Sequence, residues 1–434
     1  MRTPDPMANR APVYADPVDV RSLLFAIVCA VASAGCGLVV DLDLPDPSPP
    51  SDAGAGADAS LRDATIPDGA VHPADAAIVD AAILDASRPD AGDGVYVPSN
   101  IESRSFWTLG GGAVATREDG CYCSFLNTDT GEISGMLSGD RAPGRGLDPV
   151  SGIYFEVVPQ ASGPDLGVFV MEQLTVRSPF DFDGLYLYGD NALVLLVRGE
   201  VEIDGHLGDG SGSNGYRGGA ARAPGAGPLG GLPSASLMEG GGGGGLAGSG
   251  GAGSGSVRGG AASGDETLVP LLHGSGGGGG YEGAGGRGGR GIQISSLLRI
   301  RASAQSLIDV RGSGGQSGGG GGGAGGAVLL EAPEVELAGR IVANGGGGGS
   351  CSARGSLGSS EVARAPGAEG CGGRGGAGGG ADAVDGGDAI EGTEGAGGGG
   401  AAGRIRINAT SGTFEGLRTS PLRTSEGVSF GRLP

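Results

Sequence analysis

Apolar and polar residues alternate with period two in several separate stretches of the C-terminal two thirds of the chain. "LGVFVMEQLTVRS" (166–178) and "GLYLYGDNALVLLVRGEVEIDGHLGDGS" (184–211) come first, then "GIQISSLLRIRASAQSLIDVRGSGG" (291–315), "GGAVLLEAPEVELAGRIVANGG" (325–346) and "GRIRINATSGTFEGL" (403–417). Period two with one wet face is the mark of a half-buried strand. Val201 and Ile203 fall on one side and Glu200 and Glu202 on the other; Val335 and Leu337 repeat this against Glu334 and Glu336. Ile308 and Val310 oppose Asp309 and Arg311, and Ile405 and Ile407 continue the series.

Two stretches align with each other: "LVLLVRGEVEIDGHLGDGSG" and "AVLLEAPEVELAGRIVANGG". Each holds an apolar strand, a break, an alternating strand, a second break and a short third strand. Three short strands in a repeating unit of roughly twenty residues predict an all-β fold, a parallel β-solenoid (β-helix) whose coils bury their aliphatic rows against one another. The competing arrangement is a flattened β-sandwich with floppy inserts. Glycine tracts at about 212–290, 312–326 and 345–403 each follow a third strand. On a solenoid this puts every long insertion at one corner, so they are expected to be Gly-rich loops displayed along one face.

Composition bears on those loops. The 434 residues include 100 Gly, against 8 Tyr, 9 Phe and 1 Trp. Glycine has no side chain to bury and loses the most entropy on ordering, so disorder is the default expectation. Local triplets such as "GAGGRGGRG" (283–291) allow extended polyglycine helices as the alternative. Collagen is excluded, because glycine does not hold every third position throughout.

Residues 95–150 alternate weakly around Trp107 and read as a small β cap on the body at 151–434. Ahead of them, Arg21 precedes the twelve-residue apolar run Leu23 to Ala34, too short for a membrane span and suited to a signal peptide over 1–35. "ASAGC" offers Cys36 for lipidation, while "ASA" also fits ordinary cleavage. Residues 36–94, acidic, proline-bearing and poor in aromatics, predict a disordered tether. The net charge of −21, with all 28 basic residues Arg, argues against a nucleic-acid partner.

Six cysteines follow from the same reading. Cys351 and Cys371 bracket a glycine tract, and a disulfide between them would close a twenty-one-residue segment, adding about 3 kcal/mol on the loop-closure model. Cys121 and Cys123 form a C-Y-C pair, whose spacing departs from that of a zinc site. Asp382, Asp385, Asp388 and Glu391, set at intervals of three within glycine, are weak calcium candidates; no other cofactor or metal is expected. Asp181, Asp183, Asp190, Asp204 and Asp209 form the nearest carboxylate group for glycan chemistry. His72, His206 and His273 lie near no nucleophile motif, and no hydrolase, zincin or P-loop signature is present. No catalytic residue is assigned.

"SAGCG", "LGVFVMEQLTV", "ALVLLVRGEVEIDGHL", "GGAVLLEAPEVELAGRIVANGGGGG" and "GGGAAGRIRINATSG" together resemble glycine-rich surface lipoproteins of high-GC, myxobacteria-like Gram-negative bacteria. The resemblance implies a location and a shape but no reaction. The expectation is a non-catalytic, lipid-anchored envelope or surface protein with a structural, matrix or adhesive role. It would partner the outer membrane through its anchor, or be periplasmic or secreted without one. The alternative is a carbohydrate-active β-helix enzyme; ice or mineral binding by flat polyglycine faces is a third reading and requires ordered glycine tracts.

Overall fold

The computed structural model describes residues 95–117, 124–178, 184–209, 214–262, 265–392 and 394–434. The expected signal peptide and tether, with Cys36 and His72, lie outside the described residues, as do Cys121, Cys123, Asp181 and Asp183. The fold is all-β with mostly parallel, curled sheets. Two short 3-10 turns, Arg104–Thr108 and Ser254–Ser256, are the helical elements among the described residues.

Successive passes of the chain contribute strands to three ladders. The first pairs Leu166–Met171, Ala192–Val197, Gly291–Ser296 and the leading parts of Ala327–Leu337 and Arg404–Thr413, and it ends on Val428–Gly431, all parallel. The second runs from Ala113–Ala115 through Gln173–Arg177, Glu200–Asp204 and Arg299–Ala302 to the trailing parts of those two long strands. The third stacks Ser124–Asn127, Gly184–Tyr188, His206–Gly208, Leu307–Asp309, Arg340–Val342 and Arg418–Ser420. Antiparallel strands at Gly146–Leu147 and Tyr154–Val158 close one end of the first ladder, and Ile133–Ser134 closes the third.

Register turns the alternation into a core. Phe169, Leu195, Ile294, Leu330, Ile407 and Phe430 stand in one column. Leu174, Val201, Ile300 and Val335 form a second column, and Leu185, Leu207, Ile308 and Ile341 a third. The apolar members of the three columns belong to or pack on one cluster. Each fully buried aliphatic side chain contributes about 1.5–3 kcal/mol, which a single pass could not collect alone.

The expected wet outer face belongs to the second ladder. There Glu200, Arg299 and Glu334 stand side by side, as do Glu202, Arg301 and Glu336. Parallel register sets opposite charges next to each other, with Arg299–Glu200 at 3.0 Å and Arg301–Glu336 at 3.6 Å. The first ladder departs from the expectation because both its faces are buried. Val168, Val194 and Leu329 on its outer side join a second cluster with Tyr96, Ile101, Trp107, Leu246, Leu268 and Leu271. A covered face selects the continuous apolar runs LGVFVM and ALVLLV over strict alternation.

The glycine tracts overturn the expectation of disordered loops. They are ordered, buried and hydrogen-bonded to one another. Gly241 and Gly244 donate to Gly319 (2.8 Å) and Gly322 (2.9 Å) and accept from Gly398 and Ala401 (both 2.9 Å). Gly242 and Gly245 donate to Leu232 (2.9 Å) and Leu229 (3.0 Å) and accept from Gly278 (2.8 Å) and Ser275 (3.4 Å). Gly243 donates to Gly251 (2.9 Å) and accepts from Gly260 (2.8 Å). Partners change at each residue and recur every third, the repeat of a polyproline-II helix, so the segment at 240–246 is ringed by six others.

An isolated helix of this type has no internal hydrogen bonds. Here every bond is made sideways, which satisfies buried amides without a side-chain core. The spacing this demands excludes a methyl group. A Cβ on Gly243 would stand 1.9 Å from the Gly399 carbonyl oxygen, and one on Gly398 would stand 2.0 Å from that of Gly251.

The array grows out of the ladders without a break in pairing. Beyond Leu307–Asp309, Val310 donates to Val342, Gly312 to Asn344 and Gly315 to Gly347. On the return, Gly326 donates to Val310 and Gly403 to Ala343 immediately before the first-ladder strands begin. Gly243→Ala is therefore expected to destabilise the body by about 3 kcal/mol or more, at or beyond the upper end of overpacking. Ala226→Ser, exposed on the rim of the same array, should change stability by less than about 0.5 kcal/mol. Denaturant midpoints of the two variants check this, and equal midpoints would contradict the packed array.

Candidate functional site

A buried polar cluster lies where the glycine array joins the first ladder. Arg290 immediately precedes the strand Gly291–Ser296 and is fully buried. Its Nε donates to Asp209 Oδ1 at 2.9 Å, Nη1 to the Asn191 carbonyl at 2.6 Å and to Thr128 Oγ1 at 3.0 Å, and Nη2 to the Gly189 carbonyl at 2.7 Å. A guanidinium can be buried when its charge is matched and its nitrogens are engaged; here Asp209 matches the charge and each nitrogen donates at least once, four bonds from five N–H groups. The cluster ties three successive passes together at their shared corner.

His273 sits beside it, fully buried. Its Nδ1 accepts from the Gly291 amide at 2.8 Å, which leaves the proton on Nε2 to donate to the Asp190 carbonyl at 3.0 Å. Burial first, and the Arg290 charge second, push its pKa down to about 3. The ring is a neutral connector with both nitrogens engaged, unsuited to taking a proton from a substrate.

Of the carboxylates considered for glycan chemistry, the described ones are already engaged. Asp190 pairs with Arg217 at 3.3 Å and lies 3.8 Å from Arg287, Asp204 accepts from the Ser303 hydroxyl, and Asp209 holds Arg290. On the outer side of the third ladder His206 Nε2 lies 3.5 Å from Asp309 Oδ2, and Arg311 grips the same carboxylate. Burial alone would raise the Asp309 pKa, but the hydrogen bonds from His206 and Arg311 outweigh it and leave the group below its usual value.

A second buried carboxylate was not visible in the sequence. Glu331 accepts from the Ser99 amide (3.1 Å) and hydroxyl, Gln293 Nε2 (3.0 Å), Ser295 Oγ (2.9 Å) and Asn408 Nδ2 (3.1 Å). All five donors are neutral. Tyr96 donates to the Glu331 carbonyl at 2.9 Å; burial, then this carboxylate, hold its phenol well above the ordinary value. The cluster fastens residues 95–107 over the first ladder. Ser295, Glu331 and Asn408 are register partners, a polar row across three passes that only the pairing reveals.

Two of the calcium candidates bind backbone amides of a neighbouring segment. Asp385 Oδ1 accepts from the Ser249 amide (2.7 Å) and hydroxyl (2.9 Å), and Asp388 Oδ1 accepts from the Ala252 amide at 2.7 Å. Asp382, Asp385, Asp388 and Glu391 are all exposed. Asp385 and Asp388 thus hold amides three residues apart on one neighbouring segment, while Asp382 lies in the turn closed by Gly380 and Ala383. Cys351 and Cys371 are joined in a disulfide with Cα atoms 6.1 Å apart. It lies among the turns at the array's far end, with Glu394 Oε2 at 3.6 Å from Cys371 Sγ. The chain matches no protein-family model, no curated protein and no solved structure.

The depressed His273 pKa fixes a pH dependence. Between the folded value near 3 and the unfolded value near 6.5, the unfolded chain binds the extra proton, so stability rises with pH and is lost as pH falls through this window. This group contributes a slope of about 1.4 kcal/mol per pH unit inside the window. His273→Gln should lose less stability than the wild type between pH 7 and pH 4.5 in denaturant titrations. An unchanged difference between the two pH values would refute the neutral buried ring.

Proposed function

We propose that this is a non-catalytic, exported scaffold protein of the cell envelope or surface, lipid-anchored through Cys36. The three in-register parallel ladders support reading the body as a β-solenoid with five principal passes. The observation that carries the functional reading is the glycine array. A chain that uses backbone pairing to build an ordered slab, with turns of varied side chains at its far end, is organised for holding and presenting surface.

Among the described residues, the pairing of Asp190, Asp204 and Asp209 with Arg217, Ser303 and Arg290 favours a structural role for these carboxylates over glycan chemistry. Acidic excess and the resemblance to glycine-rich lipoproteins support placement outside the cytoplasm. The tether at 36–94 would give the scaffold reach from the membrane.

Mass spectrometry of the mature N-terminus tests the anchor. A diacyl- or triacyl-Cys36 is expected, and Cys36→Ser should move the protein from the membrane to the soluble fraction. An unlipidated N-terminus with unchanged fractionation would reject the anchor. Antibody labelling of intact cells tests surface display, and release of sugar ends from a polysaccharide panel by the purified protein would reject the scaffold reading.

A further inference from the structure

The far end of the glycine array is where its side-chain diversity gathers, because the helices themselves admit almost none. The turn after the outbound segment 343–350 carries Cys351, the turn at 369–374 carries Cys371, and Glu394 precedes the return at 395–403. Backbone pairing fixes these turns against each other: Arg374 and Ile390 exchange amide–carbonyl bonds at 3.0 and 2.7 Å, and Gly395 donates to Leu237 at 2.8 Å. All three side chains are half-buried.

The separation between Cys371 and Glu394 has the dimensions of a metal site, while the two sulfurs, bonded to each other here, would part to about 3.8 Å on a shared zinc once reduced. The two sulfurs and one Glu394 oxygen lie within 4.8 Å of one another. A zinc ion holding a thiolate at about 2.3 Å and a carboxylate at about 2.1 Å in tetrahedral arrangement separates sulfur from oxygen by about 3.5 Å. The Cys371 Sγ to Glu394 Oε2 distance is 3.6 Å. The carboxylate therefore already stands where a ligand of a shared ion would stand.

We propose that Cys351, Cys371 and Glu394 form a redox-gated zinc site, closed as a disulfide when oxidised and metal-bound when reduced. A dithiol gives two electrons and two protons to convert the S–S bond to two thiols and becomes a disulfide itself; a phosphine gives the electron pair and becomes the phosphine oxide, with one water supplying the oxide's oxygen and the two thiol protons. Zinc then binds both sulfurs and releases their two protons to solvent. The two thiolates and the carboxylate would repel one another if deprotonated without a metal, and a dication removes that repulsion as the protons leave. A fourth position is left for water, as in open three-ligand sites. Cys371 has a φ of +49°, a left-handed conformation strained for a residue with a side chain, and the pair is solvent-accessible; both features favour access to a reductant. In either redox state the two turns remain pinned, by a covalent bond or by a metal.

The test uses the full chain, reduced with a phosphine under nitrogen and titrated with zinc against a chromophoric chelator. Wild type is expected to bind one zinc more than Cys351→Ser/Cys371→Ser, a comparison that cancels the other four cysteines. Glu394→Gln should weaken that zinc at least tenfold, and its ability to form the disulfide on oxidation reports that the turns are folded. Cobalt in place of zinc should give a near-ultraviolet thiolate charge-transfer band that the double variant lacks. Equal zinc binding by reduced wild type and the double variant would overturn the site, as would a Glu394→Gln affinity equal to wild type.

Discussion

Backbone pairing between successive passes of the chain is the interaction on which everything else depends. In the ladders it runs at the two-residue repeat of a strand, and in the glycine array at the three-residue repeat of an extended helix. The change of repeat happens without loss of partners: Val310 still donates to Val342 where the third ladder ends, and Gly312 and Gly315 continue to Asn344 and Gly347. Buried amides left unpaired would each cost about 1–3 kcal/mol, so an insertion of this length is tolerated in the interior only because neighbouring passes supply carbonyls in register.

The two halves solve the same problem with opposite materials. The ladders pair their amides and add columns of Leu, Ile and Val, so each rung gains apolar burial as well as hydrogen bonds. The array has little to bury, and ordering glycine is entropically the most costly case. Its compensation is close approach. With a carbonyl oxygen 1.9 Å from where a Gly243 Cβ would sit, each segment can be ringed by others, and both donor and acceptor of nearly every residue are used. Glycine is thus the residue that lets a helix have six neighbours. The polar anchors sit where the materials meet: Arg290 with Asp209, and His273 bridging the Gly291 amide to the Asp190 carbonyl.

The ladders were legible because their information is local. Val201 and Ile203 against Glu200 and Glu202 announce a strand within five residues, and the second copy at 334–337 announces a repeat. The array was not legible, because its stabilising partners are remote: Gly241 and Gly319 are joined only once both chains are placed. One trace was present. Ala284, Arg287 and Arg290 recur at intervals of three, as do Asp385 and Asp388, which is one side of a threefold helix seen in sequence. Glu331 was hidden for another reason: its neighbours Ser295 and Asn408 are adjacent only through register, and Ser99 only through the fold of residues 95–107 over the ladder.

The division of labour also decides where the sequence can vary. A methyl group is excluded at the inner glycines of the array, and the ladder columns require aliphatic volume, so neither can acquire new chemistry without breaking the body. The turns at the array's far end are under neither constraint. Exposed Leu237, Met238 and Ile390 stand there with Arg354, Arg374 and Glu391, held in place by helices that cannot themselves offer such groups. A slab whose interior is mostly glycine, finished at one end by turns that carry larger side chains, separates the demands of folding from those of contact. Surface presentation benefits from that separation more than catalysis, which needs its reactive groups seated in the packed part of a fold.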